Sequence, residues 1–571
     1  MCCCCCRWNG RLIPLLGTVF PKPSIPWEVT TLNRREFLKR IGAGTVAMGL
    51  VGASAMGEAG EKRKPNVVFI ITDDQPVASF GFLARGGPKA LTPNIDKLAE
   101  RGVYFSRCYV SSSVCTPSRY TCLTGSYASR SQSVNFKRAV SKEGQTDVQW
   151  NTNIRPDDLA LPKLLQRHGY ATGAVGKWHN GGPQEWGRLG KTLDLAADPA
   201  DPKVARALRT AQDALHAWVR SCGFDYAESI NLGNYGAHPC RKLRHHNPEW
   251  ITKGALDFIE RNKDRPFYLY MAPTLLHGPS PLKSLKSDPR MAHCGLLADP
   301  PKVQPSRQDV LRRVREAKLP ERLAGATWLD DSIGAVLGKL DELGLADNTL
   351  VIYFNDNGME GAKGSCYEGG VRTPCVIRWP GKTRAGKRDA LIQNTDFAPT
   401  ILAACGIHPP KEMALDGLDL TPLLTGREDT LRESVYCEIA HTRAVVTGRW
   451  KYIAFRIPPS KQLTKAQRIA VCARYKAMKA RREDKDFRVD PDAPLSHMGF
   501  PGGQATERHA ALKKHARTYY DADQLYDLQN DPGEQKNLAD DPAHQARLAE
   551  MKALLARHVA RAPGTFAEFK T

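Results

Sequence analysis

The stretch Pro65-Asn66-Val67-Val68-Phe69-Ile70-Ile71-Thr72-Asp73-Asp74 puts five consecutive apolar residues one threonine before two aspartates. A strand with one face in water alternates apolar and polar residues, whereas an unbroken run of β-formers needs cover on both faces. That requirement constrains the fold most strongly, because it calls for a parallel sheet between two layers of helices. Residues 171–176, 267–271 and 350–354 repeat the pattern, and helical stretches at 161–168, 250–261 and about 323–343 precede them. Thr92-Pro93 opens a further helix over 94–101, closed by Gly102. The alternation predicts an α/β fold with a large mixed, mostly parallel sheet flanked by helices.

At 571 residues the chain is long for one core, since cores stop growing near about 250–300 residues. A large domain at 64–430 and a smaller one at 431–571 are expected. Beyond residue 430, short antiparallel strands are read at 434–439, 443–447, 451–455 and 523–528, so the smaller C-terminal domain is expected to be α+β. The Lys/Arg-rich segment 461–488 between them reads as a solvated amphipathic helix in its first half.

Asn33-Arg34-Arg35-Glu36-Phe37-Leu38-Lys39, a Gly/Ala-rich stretch and Ala53-Ser54-Ala55 follow the pattern of a twin-arginine signal peptide with a small-residue cleavage site. Residues 1–55 are therefore expected to be removed, with the folded protein carried by the Tat translocase to the periplasm or beyond. Residues 1–32, opening Met1-Cys2-Cys3, carry no structural pattern, and the expected start lies downstream of them. The formal charge of +22 becomes +17 without residues 1–55, which points to anionic partners. Eleven cysteines remain, none in a Cys-x-x-Cys pair, so neither a zinc ribbon nor a disulfide framework is expected. No run is long enough to span a bilayer, and no nucleic-acid-binding module is recognisable.

In open α/β sheets ligands bind beyond the carboxyl ends of the strands. Here those ends read Thr72-Asp73-Asp74-Gln75, Gly176-Lys177-Trp178-His179, His277-Gly278-Pro279 and Asn355-Asp356-Asn357-Gly358. Asp73, Asp74, Asp356 and the amide oxygen of Asn357 form an all-oxygen donor set, suited to Ca2+ or Mg2+ rather than zinc. Arg119, Lys177, Lys363, His179 and His277 add positive charge beside such an ion, the environment a sulfate or phosphate ester requires.

Cys115-Thr116-Pro117-Ser118-Arg119 with Leu123-Thr124-Gly125 resembles the signature of the type I sulfatases, formylglycine-dependent and arylsulfatase-like, in the alkaline-phosphatase-like superfamily. Residues 169–179, 363–374 and 526–538 resemble further motifs of that family in the family's own order. Cys122 departs from the pattern, which has a larger side chain there. The resemblance implies an alkaline-phosphatase-like fold and a sulfuric ester hydrolase. It implies that a formylglycine-generating enzyme oxidises Cys115 to 3-oxoalanine, formylglycine, before export. One hydroxyl of the aldehyde hydrate then attacks sulfur, and the other expels sulfate by carbon–oxygen cleavage, avoiding a second attack on sulfur.

The same resemblance assigns roles to the remaining residues. Asp73, Asp74, Asp356 and Asn357, with residue 115, would hold the metal, Ca2+ before Mg2+. Arg119 would hold the hydrate, Lys177 and Lys363 the sulfate oxygens. His179 would assist deprotonation and His277 protonate the leaving oxygen. Export and positive charge point to a sulfated carbohydrate, with aryl sulfate as the small-molecule substrate. A phosphonate monoester or phosphodiester hydrolase of the same superfamily is the alternative, and a non-catalytic sulfated-glycan binder stands behind it. Segments 135–155, 180–190, 233–250 and 279–306 are candidates for reading the sugar, with Trp150, Trp186, His238, His245 and His246 among them.

Overall fold

A computed structural model describes residues 63–83, 89–358, 360–481, 490–504, 507 and 510–571. The expected signal peptide and cleavage site, and residues 482–489 of the basic segment, lie outside these. Eight strands form one sheet: β1 (Asn66–Thr72), β2 (Val103–Tyr109), β3 (Ala171–Lys177), β4 (Tyr226–Asn231), β5 (Phe267–Ala272), β6 (Thr349–Asn355), β7 (Arg372–Arg378) and β8 (Gly386–Gln393). Their order is β8-β2-β7-β6-β1-β5-β3-β4. All neighbours pair in parallel except β7, which runs antiparallel to both β2 and β6.

The apolar run that opened the sequence forms the centre of this sheet, and all seven residues of β1 are buried. Val67, Phe69 and Ile71 point into one hydrophobic cluster, and Val68 and Ile70 into the other. Burying such side chains contributes about 1.5–3 kcal/mol each, so neither face of the strand can be left to water. The helices α1 (Pro93–Arg101), α2 (Cys115–Thr124), α3 (Pro248–Arg261) and α4 (Ala324–Glu342) supply part of that cover. α1, α3 and α4 pack on one face through Ile95, Phe258 and Ile333, and α2 packs on the other through Leu123.

The strands that the apolar pattern passes over are those with charged or breaker residues. β2 carries Ser106 and Arg107, β4 carries Glu228, Ser229 and Asn231, and the first half of β8 reads Gly-Lys-Arg-Asp at the sheet edge. β7 contains Pro374, which falls between the pairs Phe105↔Cys375 and Cys108↔Thr373, where the ladder to β2 shifts register. A proline is tolerated there because no regular ladder bond is lost.

The second sheet is antiparallel, in the order β9 (Ser434–Ile439), β10 (Thr442–Thr447), β11 (Trp450–Phe455) and β12 (Asp523–Asp527). A helix at Lys465–Arg481 covers the first half of the basic segment. Both sheets lie in one unit, Arg63–Thr571. A buried ion triad joins them. Lys451 on β11 lies 3.0 Å from Glu368 and 3.0 Å from Glu534, and the Glu368 amide donates to Glu534 at 2.7 Å. Burial raises the Glu534 carboxyl to about 7 despite Lys451. Burial also acts to raise Glu368, but Lys451 and Arg372 outweigh it and hold that carboxyl below its usual range.

Lys451→Met leaves two buried carboxyls without their cation and should destabilise the protein by about 3–5 kcal/mol near pH 8. With the cation gone, both folded-state values rise above the unfolded ones. The penalty is therefore absent at acid pH and grows as pH rises through them. Urea denaturation at pH 5.5 and pH 8 checks this; an equal loss at both would refute the charge-based account.

Candidate active site

The site stands on the carboxyl edge of the large sheet. Thr72 pairs with Asn355 at the ends of β1 and β6, so the next residues, Asp73 and Asp356, emerge side by side. Asp74 adopts a left-handed conformation, φ 53°, which aspartate tolerates better than most residues. Beneath the acids, Thr72 Oγ1 donates to Gln75 Oε1 and the Gln75 amide donates to Asn355 Oδ1 at 2.9 Å. The sequence reading assigned no role to Gln75 or Asn355. Both are neutral amides, and nothing in the sequence marks them as the bracing between two strand ends.

α2 begins at Cys115, which brings the cysteine to the mouth of the site and turns Arg119, one turn on, into the same space. Cys115 Sγ lies 3.5 Å from Asp73 Oδ1 and 3.4 Å from Lys363 Nζ. Arg119 donates to Asp356 Oδ2 through Nε and Nη2, at 3.2 and 2.8 Å, with Asp73 Oδ1 at 3.7 Å. Lys177, the last residue of β3, donates to Asp73 Oδ2 at 2.6 Å, and Lys363 pairs with Asp74. His277 Nε2 sits 3.5 Å from Asp74 Oδ2. His179 follows β3 in a left-handed conformation, φ 53°, with its Nδ1 buried and unpartnered. All ten residues expected at the site therefore converge on one sheet edge.

Burial works against every charge here, and the neighbours decide the outcome. It acts to raise Asp73, but Lys177, His277 and Arg119 together hold that carboxyl well below its usual range. Asp74 is likewise lowered against burial, chiefly by Lys363 and His277. Asp356 is raised by burial and by the charge on Asp73. Burial, with Lys177 and Arg119, keeps His179 well below the usual histidine range, so its ring is neutral. Burial and the nearby Asp356 push the Cys115 thiol far up, so the unmodified side chain is a neutral S–H and a poor nucleophile.

Two observations fit these residues to a hard divalent cation. Ligand atoms of Asp73, Asp74, Cys115 and His277 lie within 4.8 Å of one another. Asn357 donates through Nδ2 to Asp74 at 3.0 Å and to Asp356 at 2.7 Å, leaving its buried Oδ1 with no partner. An orphaned amide oxygen among three carboxylates is a vacant oxygen donor, the type that Ca2+ and Mg2+ take. Asp73, Asp74 and Asp356 are balanced by Arg119, Lys177 and Lys363. A divalent ion would leave the pocket about two charges positive, complementary to a sulfate ester.

Comparison with known proteins agrees with this geometry. The Sulfatase family model matches residues 65–407. The chain belongs to the Sulfatase family. A second model, the C-terminal region of N-sulphoglucosamine sulphohydrolase, matches residues 362–462 of this sulfatase. The sulfatase is 27% identical over 466 residues to the N-acetylgalactosamine-6-O-sulfatase of Bacteroides thetaiotaomicron, covering 68% of this chain and 82% of that one. It is 30% identical over 398 residues to human N-acetylgalactosamine-6-sulfatase, covering 65% and 68%. A solved Bacteroides thetaiotaomicron structure, from work on glycosaminoglycan metabolism, shares the fold with a TM-score of 0.56 and 24% identity, covering 87% of this chain and all of that one. The sulfatase is a sulfuric ester hydrolase, and its family implies both a metal and a formylglycine.

Of the other candidates named from the sequence, His245 is half-buried beside the buried His246, and the rest go into packing. Trp186, His238 and His246 are buried, and Trp150 packs half-buried against the core. They lie in long connecting segments, yet Trp186 packs edge-on to His238 and tilted against His293 inside the fold. Cys122 fills a core position in the cluster beneath α2, so a smaller side chain there leaves the site intact. All eleven described cysteines are free.

Mass analysis of the peptide spanning residue 115 from active sulfatase should show it lighter than cysteine by the change from thiol to aldehyde; the hydrate has nearly the mass of cysteine itself, so carbonyl labelling of the same peptide distinguishes the two. An unmodified thiol in fully active protein would contradict the family's chemistry for this chain.

Proposed function

We propose that this protein is an exported sulfatase that removes sulfate from a carbohydrate, with N-acetylgalactosamine 6-sulfate the first candidate. The observation that carries this reading is the meeting of Cys115, three carboxylates and three buried cations on one sheet edge. The names of its relatives support a sulfated sugar, and the formal charge of +22 favours an anionic one. The twin-arginine pattern supports export by the Tat translocase after maturation by a formylglycine-generating enzyme.

In this reading Asp73, Asp74, Asp356, Asn357 and residue 115 hold Ca2+, which supplies Lewis-acid stabilisation of the developing charge. Formylglycine at 115 would supply, as its hydrate, one hydroxyl to attack sulfur and a second that, on losing its proton, becomes the aldehyde oxygen again and expels sulfate from the carbon. Arg119 keeps the acids paired and orients residue 115. Lys177 and Lys363 bind the sulfate oxygens and stabilise charge where it grows, a role supported by the contacts of Lys177 with Asp73 and of Lys363 with Cys115 Sγ. His179, held neutral, takes a proton from the hydrate. His277, with its Nδ1–H held on the Gly278 carbonyl at 2.8 Å, acts in its doubly protonated form beside Asp74 and delivers the Nε2 proton to the departing sugar oxygen.

Cys115→Ala should abolish turnover while leaving the unfolding transition in place. Desulfation of 6-sulfated N-acetylgalactosamine, followed by mass, should occur with wild type and fail with the variant. Paired assays on 4-nitrophenyl sulfate and an aryl phosphonate monoester separate the main reading from the superfamily alternative. A strong preference for the phosphonate would overturn the sulfatase substrate assignment.

A further inference from the structure

His246 lies two residues before α3 and is fully buried. Its Nε2 lies 2.8 Å from the His277 carbonyl and 3.0 Å from the Pro279 carbonyl, and its Nδ1 lies 2.8 Å from Thr274 Oγ1. Carbonyl oxygens only accept, so Nε2 must carry the hydrogen. Burial lowers the ring to about 4 and keeps it neutral. Nδ1 is then the acceptor, and the Thr274 hydroxyl donates to it. One imidazole thus ties down residues 274, 277 and 279 together.

The loop it grips carries His277, and its other side is held by the site itself. The Asp73 amide donates to the Leu275 carbonyl at 3.1 Å, and Asp73 bridges to Leu276. His277 is therefore suspended between the first metal-site aspartate and His246. The His246 backbone is fixed in turn, since its amide donates to Ser284 Oγ at 3.1 Å and Tyr235 packs edge-on to the ring at 5.3 Å.

We infer that His246 is a positioning residue for the leaving-group step, holding the 274–279 loop so that His277 Nε2 faces the departing oxygen. This rests on the reading of His277 as the acid, which predicts where the effect appears. An alkyl oxygen of a sugar needs a proton as it leaves, whereas a nitrophenolate does not. Loss of the clamp should therefore lower kcat on a sugar sulfate and spare 4-nitrophenyl sulfate, with KM little changed on either.

The test is a double-mutant cycle of His246→Ala and His277→Ala on the mature, formylglycine-bearing enzyme, with 6-sulfated N-acetylgalactosamine and 4-nitrophenyl sulfate as substrates. His246→Ala should reduce kcat on the sugar sulfate by roughly 10- to 100-fold, part of the roughly 10²–10⁴-fold that a placed acid contributes. The loss on 4-nitrophenyl sulfate should stay below about 3-fold, and His246→Gln, with an amide N–H able to reach one carbonyl, should recover part of the activity. In the His277→Ala background the same change should cost less than about 3-fold, because residues acting through one another are not additive. Full multiplicative loss in that background would overturn the inference and leave His246 a merely structural residue. If His277→Ala loses equally on both substrates, the acid role of His277 fails, yet the cycle still decides whether His246 acts through it. Should His246→Ala not fold, His246→Gln and Thr274→Val, which removes the donor to Nδ1, complete the same cycle.

Discussion

Three carboxylates cannot be buried within a few ångströms of each other unless comparable positive charge is buried with them. Asp73, Asp74 and Asp356 meet that condition through Lys177, Lys363 and Arg119, each drawn from a different element. The rest of the structure follows from keeping those six groups together. β1 and β6 must be neighbours in register to align Asp73 with Asp356, β3 must end level with them to deliver Lys177, and α2 must start at the same edge to deliver Cys115 and Arg119. The helices on both faces keep water from screening the charges, which strengthens each pairing and makes any single loss costly.

The second sheet enters this arrangement through the segment that carries Lys363. That segment continues to Glu368, and Glu368 is held by Lys451 and Glu534 from the C-terminal part. Tyr109 at the end of β2 donates to the same carboxylate at 3.1 Å. The C-terminal part thus does more than extend the chain: its buried lysine anchors the far end of the loop whose near end faces the substrate.

Much of this was legible in the residues. The central strands announced themselves because a strand covered on both faces has to be apolar throughout, and Val67–Ile71 is. The helices that precede them carried their own stop signals, such as Gly102 and Gly169. β2, β4, β7 and β8 were not legible, since Ser106, Arg107, Glu228, Pro374 and the Lys387-Arg388-Asp389 run break the pattern. Their pairing is decided by neighbouring strands rather than by their own composition. The place of His246 was not legible for a related reason, because a histidine in a long connection looks the same in sequence whether it faces solvent or clamps a loop.

The sequence by itself determined which chemistry is available: four polar strand ends, a cysteine opening a helix one turn before an arginine, and matching excesses of acid and base. Those are properties of residue type and local spacing, which short-range sterics and hydrogen bonding translate into structure. Only the tertiary structure decided which groups touch. Residues as far apart as Asp74 and Lys363, Glu368 and Lys451, or His246 and His277 meet through strand order and loop packing. Those contacts depend on the summed burial of two hydrophobic layers, which no local stretch of the chain contains.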